Sequence, residues 1–348
     1  MSKLLLIGPG GSVHTYNYYK LIEGYFDEIR LITDVIRPEF DSITPVKGDF
    51  SVRNPIKAYQ NYFFIKKRIE QFNPDIIHVH QANSTSYLTL RAAKGTGIPV
   101  IVTAWGSDVL IAPEQSRLIN RMILYNLRNA DYLTADSKNV ADKIIERVGR
   151  TKNEVLVANF GVDEFYEEVP KENIIYSNRL HNKLYQINEV IRAFARFIEH
   201  NNKNWKLVIA GEGSETEKLK ALAVDLKISK AVDFVGWLNK EENYNYYNMA
   251  KIFVSIPESD ATAISLLEAM LAGCFPVVSN LPANREWITD GENGIIVKDL
   301  NENFLQKAIS SNLHKALEMN NDIIRRHGTK EVNRKKFIGL YEKIQRKK

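Results

Sequence analysis

Short apolar runs rich in valine and isoleucine recur along the whole chain, and most are followed by a segment with helical spacing of its apolar residues. The first set of runs covers residues 4–7, 29–32, 76–79, 100–103, 132–135 and 155–158, and the second covers 174–176, 207–210, 232–235, 252–256, 276–279 and 295–297. Runs that are apolar throughout are typical of parallel strands buried on both faces. The pattern therefore predicts an α/β protein with doubly wound parallel sheets.

The two sets of runs indicate two domains, because a chain of 348 residues is too long for one ordinary core. The polar stretch 164–173 is the predicted linker. We expect an N-terminal domain over residues 1–165, a second domain over 166–320 and a basic C-terminal segment over 321–348. Ligands of doubly wound folds bind at the carboxyl ends of the strands, so two such domains are expected to face each other across a deep cleft.

The net charge of +5 is unevenly distributed. Residues 322–348 contain ten Lys and Arg against three acids, and residues 53–68 contain five basic residues and no acid, interleaved with four aromatic residues. One interpretation is two solvated helix faces, and the other is attraction to an anionic membrane surface or a phosphorylated acceptor. No nucleic-acid-binding module accompanies the charge, so we expect no nucleic-acid partner.

One cysteine, Cys274, cannot build a disulfide framework within the chain, which fits a reducing compartment. The apolar run at 4–7 is too short for a signal peptide, and no stretch approaches the roughly 20 apolar residues of a membrane span. We expect a cytoplasmic protein, with peripheral contact at the inner face of the cell membrane if the basic segments bind anionic lipid.

A glycine-rich turn, Gly8-Pro9-Gly10-Gly11, follows the first predicted strand. Gly10 and Gly11 would let the backbone approach a phosphate closely, and the next helix would point its N-terminus at that phosphate. Val13 stands where a dinucleotide-binding fingerprint has its third glycine. A tight strand-to-helix turn without a ligand is the alternative.

The segment 256–270, IPESDATAISLLEAM, combines an apolar strand end, a polar turn and the start of a helix. Backbone N–H groups near Ala263, Ile264 and Ser265 are first-turn donors suited to a diphosphate. Asp260 on the turn is placed to accept hydrogen bonds from sugar hydroxyls, and Glu268 is placed to hold a ribose diol. The alternative for Glu268 is a surface position on the helix, but apolar residues follow it, and a carboxylate there needs a partner.

This segment resembles the E-x7-E region of the retaining glycosyltransferases of family 4, with Asp260 and Glu268 at the two acidic positions. The resemblance is specific over residues 173–300 and softer over residues 1–165. Further residues that match the family pattern in the second half are Gly211, Glu212, Gly236, Trp237, Pro276, Glu286, Gly291, Asn293 and Gly294.

The resemblance implies a GT-B fold and metal-independent, retaining transfer from a nucleotide-sugar. UDP-sugars are favoured and GDP-sugars are the second choice. The basic segments 53–68 and 322–348 favour a saccharide acceptor linked to a lipid diphosphate, as in surface polysaccharide or lipopolysaccharide synthesis. The C-terminal segment would pack back on the first domain. Gly211, Glu212, Gly236 and Trp237 would lie at the donor nucleotide.

Arg179 and Lys183 would neutralise the diphosphate. The sequence departs from the family pattern at two of these positions: the first acid is Asp260, one methylene shorter than glutamate, and Leu184 occupies the expected lysine position while Lys183 comes one residue early.

The segment 103–108, TAWGSD, resembles a family strand end in which a histidine lies near the transferred sugar, but Trp105 stands at that position. Trp105 can stack on a sugar ring, and Asp108 can bind a hydroxyl of donor or acceptor; a helix N-cap is the alternative for Asp108. His78 and His80 share one face of the preceding strand. His80 is the better candidate for the sugar side, with a hydrogen-bonded core histidine as the alternative.

Metal-ligand motifs are absent from the sequence, which has no D-x-D, no H-E-x-x-H and no cysteine pair. We therefore expect no metal and no cofactor, with the nucleotide-sugar as co-substrate. Alternative functions are a nucleotide-sugar epimerase of the same fold and a non-catalytic nucleotide-sugar-binding subunit. A nicotinamide oxidoreductase is suggested by the glycine turn alone.

Overall fold

The computed structural model describes residues 2–151, 154–164, 169–201 and 204–347, and at 41 and 42 it describes the backbone. The chain forms two compact units, one of Met1–Phe160 with Asn333–Lys348 and the other of Gly161–Val332. Residues 165–168 of the predicted linker lie outside the described residues. Residues 321–332 of the predicted C-terminal segment lie in the second unit.

The first unit contains a seven-stranded sheet in the order β3-β2-β1-β4-β5-β6-β7, and every neighbouring pair is parallel. Its strands are β1 (Lys3–Ile7), β2 (Glu28–Thr33), β3 (Val46–Lys47), β4 (Ile76–His80), β5 (Val100–Ala104), β6 (Tyr132–Ala135) and β7 (Val155–Val157). Its helices are α1 (Val13–Ile22), α2 (Pro55–Phe72), α3 (Ser84–Ala93), α4 (Ser107–Leu110), α5 (Ala112–Gln115), α6 (Arg117–Asn129) and α7 (Lys138–Val148).

Five of these seven helices begin with a side-chain N-cap. Ser12, Asn54, Asn83, Ser116 and Ser137 each accept a hydrogen bond from the first turn of the helix that follows. Such caps satisfy backbone donors that the helix itself leaves unpaired. They fix where the loops after β1, β4 and β6 turn into helices.

The second unit contains a six-stranded parallel sheet in the order β10-β9-β8-β11-β12-β13. Its strands are β8 (Glu172–Ser177), β9 (Lys206–Ala210), β10 (Val232–Gly236), β11 (Ala250–Ser255), β12 (Phe275–Ser279) and β13 (Ile295–Val297). Its helices are α8 (Ile187–His200), α9 (Thr216–Asp225), α10 (Lys240–Met249), α11 (Ile264–Leu271), α12 (Phe304–Ile309) and α13 (Leu313–Ile323), and a π-helical turn, Ile324–Gly328, follows α13.

Apolar clusters cover both faces of the second sheet, as the continuous apolar runs predict. One face packs on α8, α9 and α12 through residues such as Phe194 and Phe304, and the other packs on α10 and α11 through residues such as Tyr247 and Met270. The predicted α/β class with two doubly wound parallel sheets is confirmed.

The last helix, α14 (Lys330–Gln345), enters the first unit at Asn333. Its Tyr341 hydroxyl lies 2.8 Å from His78 Nδ1 and contacts the Tyr18 hydroxyl, while His78 Nε2 lies 2.6 Å from Thr103 Oγ1. These buried hydrogen bonds hold α14 against β4 and β5. No helix among the described residues has the length and apolarity needed to cross a membrane.

Candidate functional site

Arg179 follows β8 and lies at the carboxyl edge of the second sheet. Its guanidinium donates from one terminal nitrogen to Ser265 Oγ at 2.9 Å and from the other to Asp260 Oδ2 at 2.5 Å. The ring of Tyr185 lies 4.4 Å from the guanidinium carbon. The structure thus joins the end of β8, the turn after β11 and the first turn of α11.

The N-terminus of α11 supplies further donors beside this pair. Ala263 is the N-cap residue, and no side chain among those described caps this helix. Its first internal bond runs from Leu266 N–H to the Ala263 carbonyl at 3.0 Å, so Ile264 and Ser265 occupy the first turn. First-turn N–H groups and the helix dipole favour an anion at such a place.

Glu268 lies one turn further along α11, inside a chain of polar side chains. The Tyr247 hydroxyl donates to Glu268 Oε2 at 3.2 Å, and Asn178 Nδ2 lies within hydrogen-bond distance of both the Tyr247 hydroxyl (2.6 Å) and Asn243 Oδ1 (2.9 Å). The Tyr176 hydroxyl donates to the same Asn243 oxygen at 2.7 Å. The carboxylate is therefore held by residues of β8, α10 and the loop after β8.

Burial raises the pKa of Glu268 to about 7. The Tyr247 hydrogen bond and the positive charges of Lys240 and Lys330 oppose that rise, while the negative charge of Asp163 adds to it. Asp163 pairs with both lysines, so its own charge is largely compensated. A carboxylate so placed is about half ionised at neutral pH, which is unusual for a group with only a structural role.

Two glycines let the strand ends of this edge approach each other. A Cβ at Gly211, which has φ +105°, would lie 2.6 Å from the Arg179 carbonyl oxygen. Gly211 N–H donates to the Gly236 carbonyl at 2.7 Å, and a Cβ on Gly236 would lie 3.3 Å from a carboxylate oxygen of Glu212. Trp237, next in the chain, is 71% exposed. The structure therefore brings Gly211 against the Arg179 backbone and Gly236 against Gly211 and Glu212, while Trp237 follows Gly236 with an exposed side chain.

Lys183 comes four positions after Arg179 in the chain. It is exposed on the short helical turn Lys183–Tyr185 and lines a cavity of about 700 Å³ together with Gln186, Glu215 and Glu258. The carbonyl of Leu184 accepts a hydrogen bond from Glu258 N–H at 2.9 Å. A role for Lys183 at a diphosphate stays a prediction.

In the first unit, the glycine turn lies at the end of β1. A Cβ at Gly10 would come within 1.8 Å of the Val35 carbonyl oxygen, so only glycine fits there. Gly10 N–H donates to Asp34 Oδ1 at 2.9 Å, which removes one of the expected phosphate donors. A Cβ at Gly11 would meet nothing closer than 3.9 Å. The approach of Gly10 and Gly11 to a diphosphate stays a prediction.

His80 and Trp105 contact each other at the ends of β4 and β5. Trp105 Nε1 donates to His80 Nδ1 at 3.1 Å, and burial lowers the pKa of His80 to about 3. His80 is therefore neutral at physiological pH, with its proton on Nε2. That nitrogen is buried and has no hydrogen-bond partner among the described residues.

Asp108 is buried, and both of its oxygens accept backbone hydrogen bonds. Ala82 N–H donates to Oδ2 at 2.7 Å and Trp105 N–H donates to Oδ1 at 3.0 Å. Burial raises its pKa, while these hydrogen bonds oppose the rise. Asp108 fixes the loop that carries Trp105, but it is not the N-cap of α4, because Gly106 occupies that position and no side chain among the described residues caps the helix. Direct contact of Asp108 with a sugar hydroxyl stays a prediction.

A groove of about 1010 Å³ in the first unit is lined in part by residues that follow β2 and β4, namely Asp34, Asn83 and Ser84. Phe50, Tyr87, Leu118 and Met122 give it an apolar lining, and Arg53 and Arg121 lie among the lining residues. Leu118 is 76% exposed. Asp34 and Asp49 also line the groove, so it is an apolar surface with two cations and two acids at its edges.

Two family models match the chain in succession. Residues 3–137 match the model "Glycosyl transferase 4-like", and residues 163–329 match "Glycosyl transferases group 1". The chain is a glycosyltransferase of the group 1, GT4-like type. The two matches fall within the first and second units respectively.

Relatives of this glycosyltransferase are distant. N-acetyl-alpha-D-glucosaminyl L-malate synthase of Bacillus anthracis is 25% identical over 64% of this chain and 61% of its own length. Alpha-monoglucosyldiacylglycerol synthase of Acholeplasma laidlawii is 21% identical over 92% of this chain and 90% of its own. The chain thus spans less than two thirds of the first of these relatives.

Solved structures support the fold. Anabaena Alr3699/HepE in complex with UDP superposes with a TM-score of 0.83 over 99% of this chain and 100% of its own, at 13% identity. At such low identity the similarity establishes the GT-B fold and nothing about substrates.

Several residues of the second-unit site were not predicted from the sequence of this glycosyltransferase. They are Tyr176, Asn178, Asn243 and Tyr247, which surround Glu268, and Tyr185, which lies against Arg179. Asn178 carried a detectable signal, because it is a polar residue directly after a buried strand. The tyrosines resemble ordinary core residues in sequence, since their rings pack while only their hydroxyls reach the site.

Proposed function

We propose that the chain transfers a sugar, with retention of configuration, from a nucleotide-sugar to a saccharide acceptor. The observation that supports this most strongly is the juxtaposition of Arg179, Asp260 and the first turn of α11 with Glu268 on the same helix. A cation and helix-terminal amides suit a diphosphate, and two carboxylates suit the hydroxyls on either side of it.

In this proposal the donor lies along the carboxyl edge of the second sheet. Glu268 accepts hydrogen bonds from the ribose diol, and the base lies near Gly236 and Trp237. Arg179 and the amides of Ile264 and Ser265 bind the diphosphate, and Asp260 orients the sugar. A UDP-sugar is the favoured donor, and a solved neighbour of the same fold, Anabaena Alr3699/HepE, binds UDP.

Breaking the bond from the anomeric carbon to the diphosphate leaves negative charge on the leaving group. Arg179 and the helix-terminal amides are already oriented toward that place, and preorganised donors of this kind contribute about 3–4 kcal/mol each. A donor phosphate oxygen takes the acceptor proton on the same face. That route needs no separate general base.

The acceptor is proposed to bind in the first unit. The buried Nε2–H of His80 lacks a partner among the described residues, and a buried donor without a partner costs free energy that a bound hydroxyl would recover. The apolar lining of the groove suits the hydrocarbon chain of an acceptor, and Arg53 and Arg121 are the groove residues that would meet its phosphate, with Asp34 and Asp49 also in the lining. We therefore favour a lipid-diphosphate-linked saccharide.

Helix α2 is proposed to touch an anionic membrane. Ile56 and Tyr59 are exposed on its first turns, and Lys67 is exposed further along. Exposed apolar residues beside cations favour the lipid interface, at about 1 kcal/mol per basic residue near an anionic surface. Co-sedimentation with liposomes should rise with anionic lipid and fall with salt; binding that is indifferent to both would remove the membrane from the proposal.

The transfer reaction is tested by incubating the chain with UDP-sugars and GDP-sugars, with and without a lipid-diphosphate-linked acceptor, and following the anomeric proton of the product by NMR. We expect donor consumption only with acceptor, and an α-linked product from an α-linked donor. Arg179→Ala should lower kcat by about 10²–10³-fold, while the exposed Arg192→Ala on α8 should not. Sugar conversion without acceptor would favour the epimerase alternative.

A further inference from the structure

Both terminal nitrogens of Arg179 already have a hydrogen-bond partner in the structure. Its guanidinium rests on the Tyr185 ring, donates to Ser265 Oγ and forms an ion pair with Asp260. The side chain of Arg179 is 11% exposed and that of Asp260 is 21% exposed, so solvent screens the pair only in part. Asp260 uses its second oxygen to accept Ala261 N–H at 3.0 Å.

An anion is required at this place whether or not a donor is bound. The guanidinium lies against Ser265 in the first turn of α11, where the helix dipole is positive. Two positive groups in a partly buried place destabilise each other unless a negative group lies between them. Asp260 is the carboxylate that meets this need in the structure.

The proposed function assigns the same cation to the donor diphosphate. A carboxylate 2.5 Å from the guanidinium and a diphosphate bound to it would repel each other at short range, since both are anions in a partly buried site. They cannot both be paired with Arg179 at full strength.

We infer that Asp260 stands in for the donor diphosphate, neutralising Arg179 in the empty site and turning to the transferred sugar when a diphosphate displaces it. This inference rests on the proposed function and adds a specificity role to Asp260. When a nucleotide-sugar binds, its sugar hydroxyls donate hydrogen bonds to the Asp260 carboxylate and so replace the lost pairing with Arg179. A free nucleoside diphosphate offers no such hydroxyls, so the carboxylate opposes the product and favours its release.

The test compares nucleotide affinities of wild type, Asp260→Asn and Glu258→Gln by calorimetry. Asparagine keeps the shape of Asp260 but removes its charge. We expect Asp260→Asn to bind the nucleoside diphosphate about tenfold more tightly than wild type, with a smaller gain for the monophosphate. Glu258→Gln removes an exposed charge two residues away, and we expect less than a twofold change. Equal or weaker diphosphate binding by Asp260→Asn would overturn the inference.

Two further measurements separate the possible failures. Asp260→Ser removes the same charge with a smaller side chain and replaces Asp260→Asn if that variant does not fold. Wild type alone should bind the nucleotide-sugar more tightly than the nucleoside diphosphate, and the reverse order contradicts the inference. If wild type binds diphosphate and loses it on Glu268→Ala, while neither Asp260 variant gains affinity, only the inference fails. If wild type binds no nucleotide, the proposed donor site fails with it.

Discussion

Glu268→Gln is expected to stabilise the empty protein while damaging donor binding. The structure holds Glu268 with a pKa of about 7, against 4.5 for the ordinary side chain, because burial disfavours the charged form. The folded state therefore binds the Glu268 proton more tightly than the unfolded state does. The stabilising contribution of the protonated carboxyl is complete below pH 4.5 and is lost as the pH rises through 7.

The magnitude follows from the difference between the two pKa values. Each pKa unit corresponds to about 1.4 kcal/mol, so ionising Glu268 costs the folded state about 3 kcal/mol at pH 8 and less than about 1 kcal/mol at pH 5. Glutamine resembles the protonated carboxyl in shape, and its oxygen can still accept the Tyr247 hydrogen bond. Glu268→Gln should therefore raise the free energy of unfolding by up to about 3 kcal/mol at pH 8.

Urea unfolding of both proteins at pH 5 and pH 8, without nucleotide, measures the effect. The variant should gain much more stability at pH 8 than at pH 5. Glu217→Gln on α9, where the carboxylate is exposed and paired with Lys220, supplies the control and should gain nothing at either pH. An equal gain at both pH values, or a loss at pH 8, would refute the reasoning that burial raises the pKa of Glu268.

Two further predictions concern residues around the sites. Tyr247→Phe removes the hydrogen bond that favours ionised Glu268. The pH midpoint of donor binding should therefore move up by about half to one pH unit when binding is measured by calorimetry from pH 6 to 9. An unchanged midpoint would contradict a direct role for the hydroxyl. Asp108→Asn leaves one side-chain oxygen, which can accept a hydrogen bond from only one of the Ala82 and Trp105 amides. Thermal unfolding should therefore show a loss of stability of about 1–3 kcal/mol, while nucleotide affinity should stay at the wild-type value. Lost affinity with intact stability would contradict the positioning role of Asp108.

The fold could be predicted from the sequence because burial on both faces of a parallel sheet leaves a direct mark. Residues 207–210 and 252–254 are apolar throughout, and both stretches lie in strands of the second sheet. The exact unit boundaries could not be predicted, because the chain returns to the first unit within a single helix, α14. Nothing in the composition of residues 321–332 separates them from the residues that follow.

The second-unit site was partly predictable for a local reason. Asp260, Ser265 and Glu268 lie on one turn and one helix, so their spacing alone brings them close together. Tyr247 comes from a different helix and meets Glu268 across 21 positions of sequence, which spacing cannot reveal. The role of Lys183 stays a prediction, since it lies on a short helical turn, Lys183–Tyr185, four positions after Arg179.

In the first unit, residue type suggested chemistry that the surroundings modify. Asp108 follows a strand end, as acidic binding residues often do, but its two oxygens are already used by backbone amides. His80 has the side chain of a general base, yet burial makes it a weak one. The sequence indicates which groups are present, whereas burial and hydrogen bonds decide what those groups can still do.

A thermal-shift panel of UDP, GDP, ADP and dTDP with their common sugars tests whether residues 161–332 contain a nucleotide-sugar site organised around Glu268. Wild type, Glu268→Ala and the exposed control Glu217→Ala are compared. A ligand at 100 times its Kd should stabilise the fold by about 2.7 kcal/mol. One nucleotide class should raise the Tm of wild type and of the control but not that of Glu268→Ala. No rise with any nucleotide, or an equal rise in Glu268→Ala, would contradict the presence of that site.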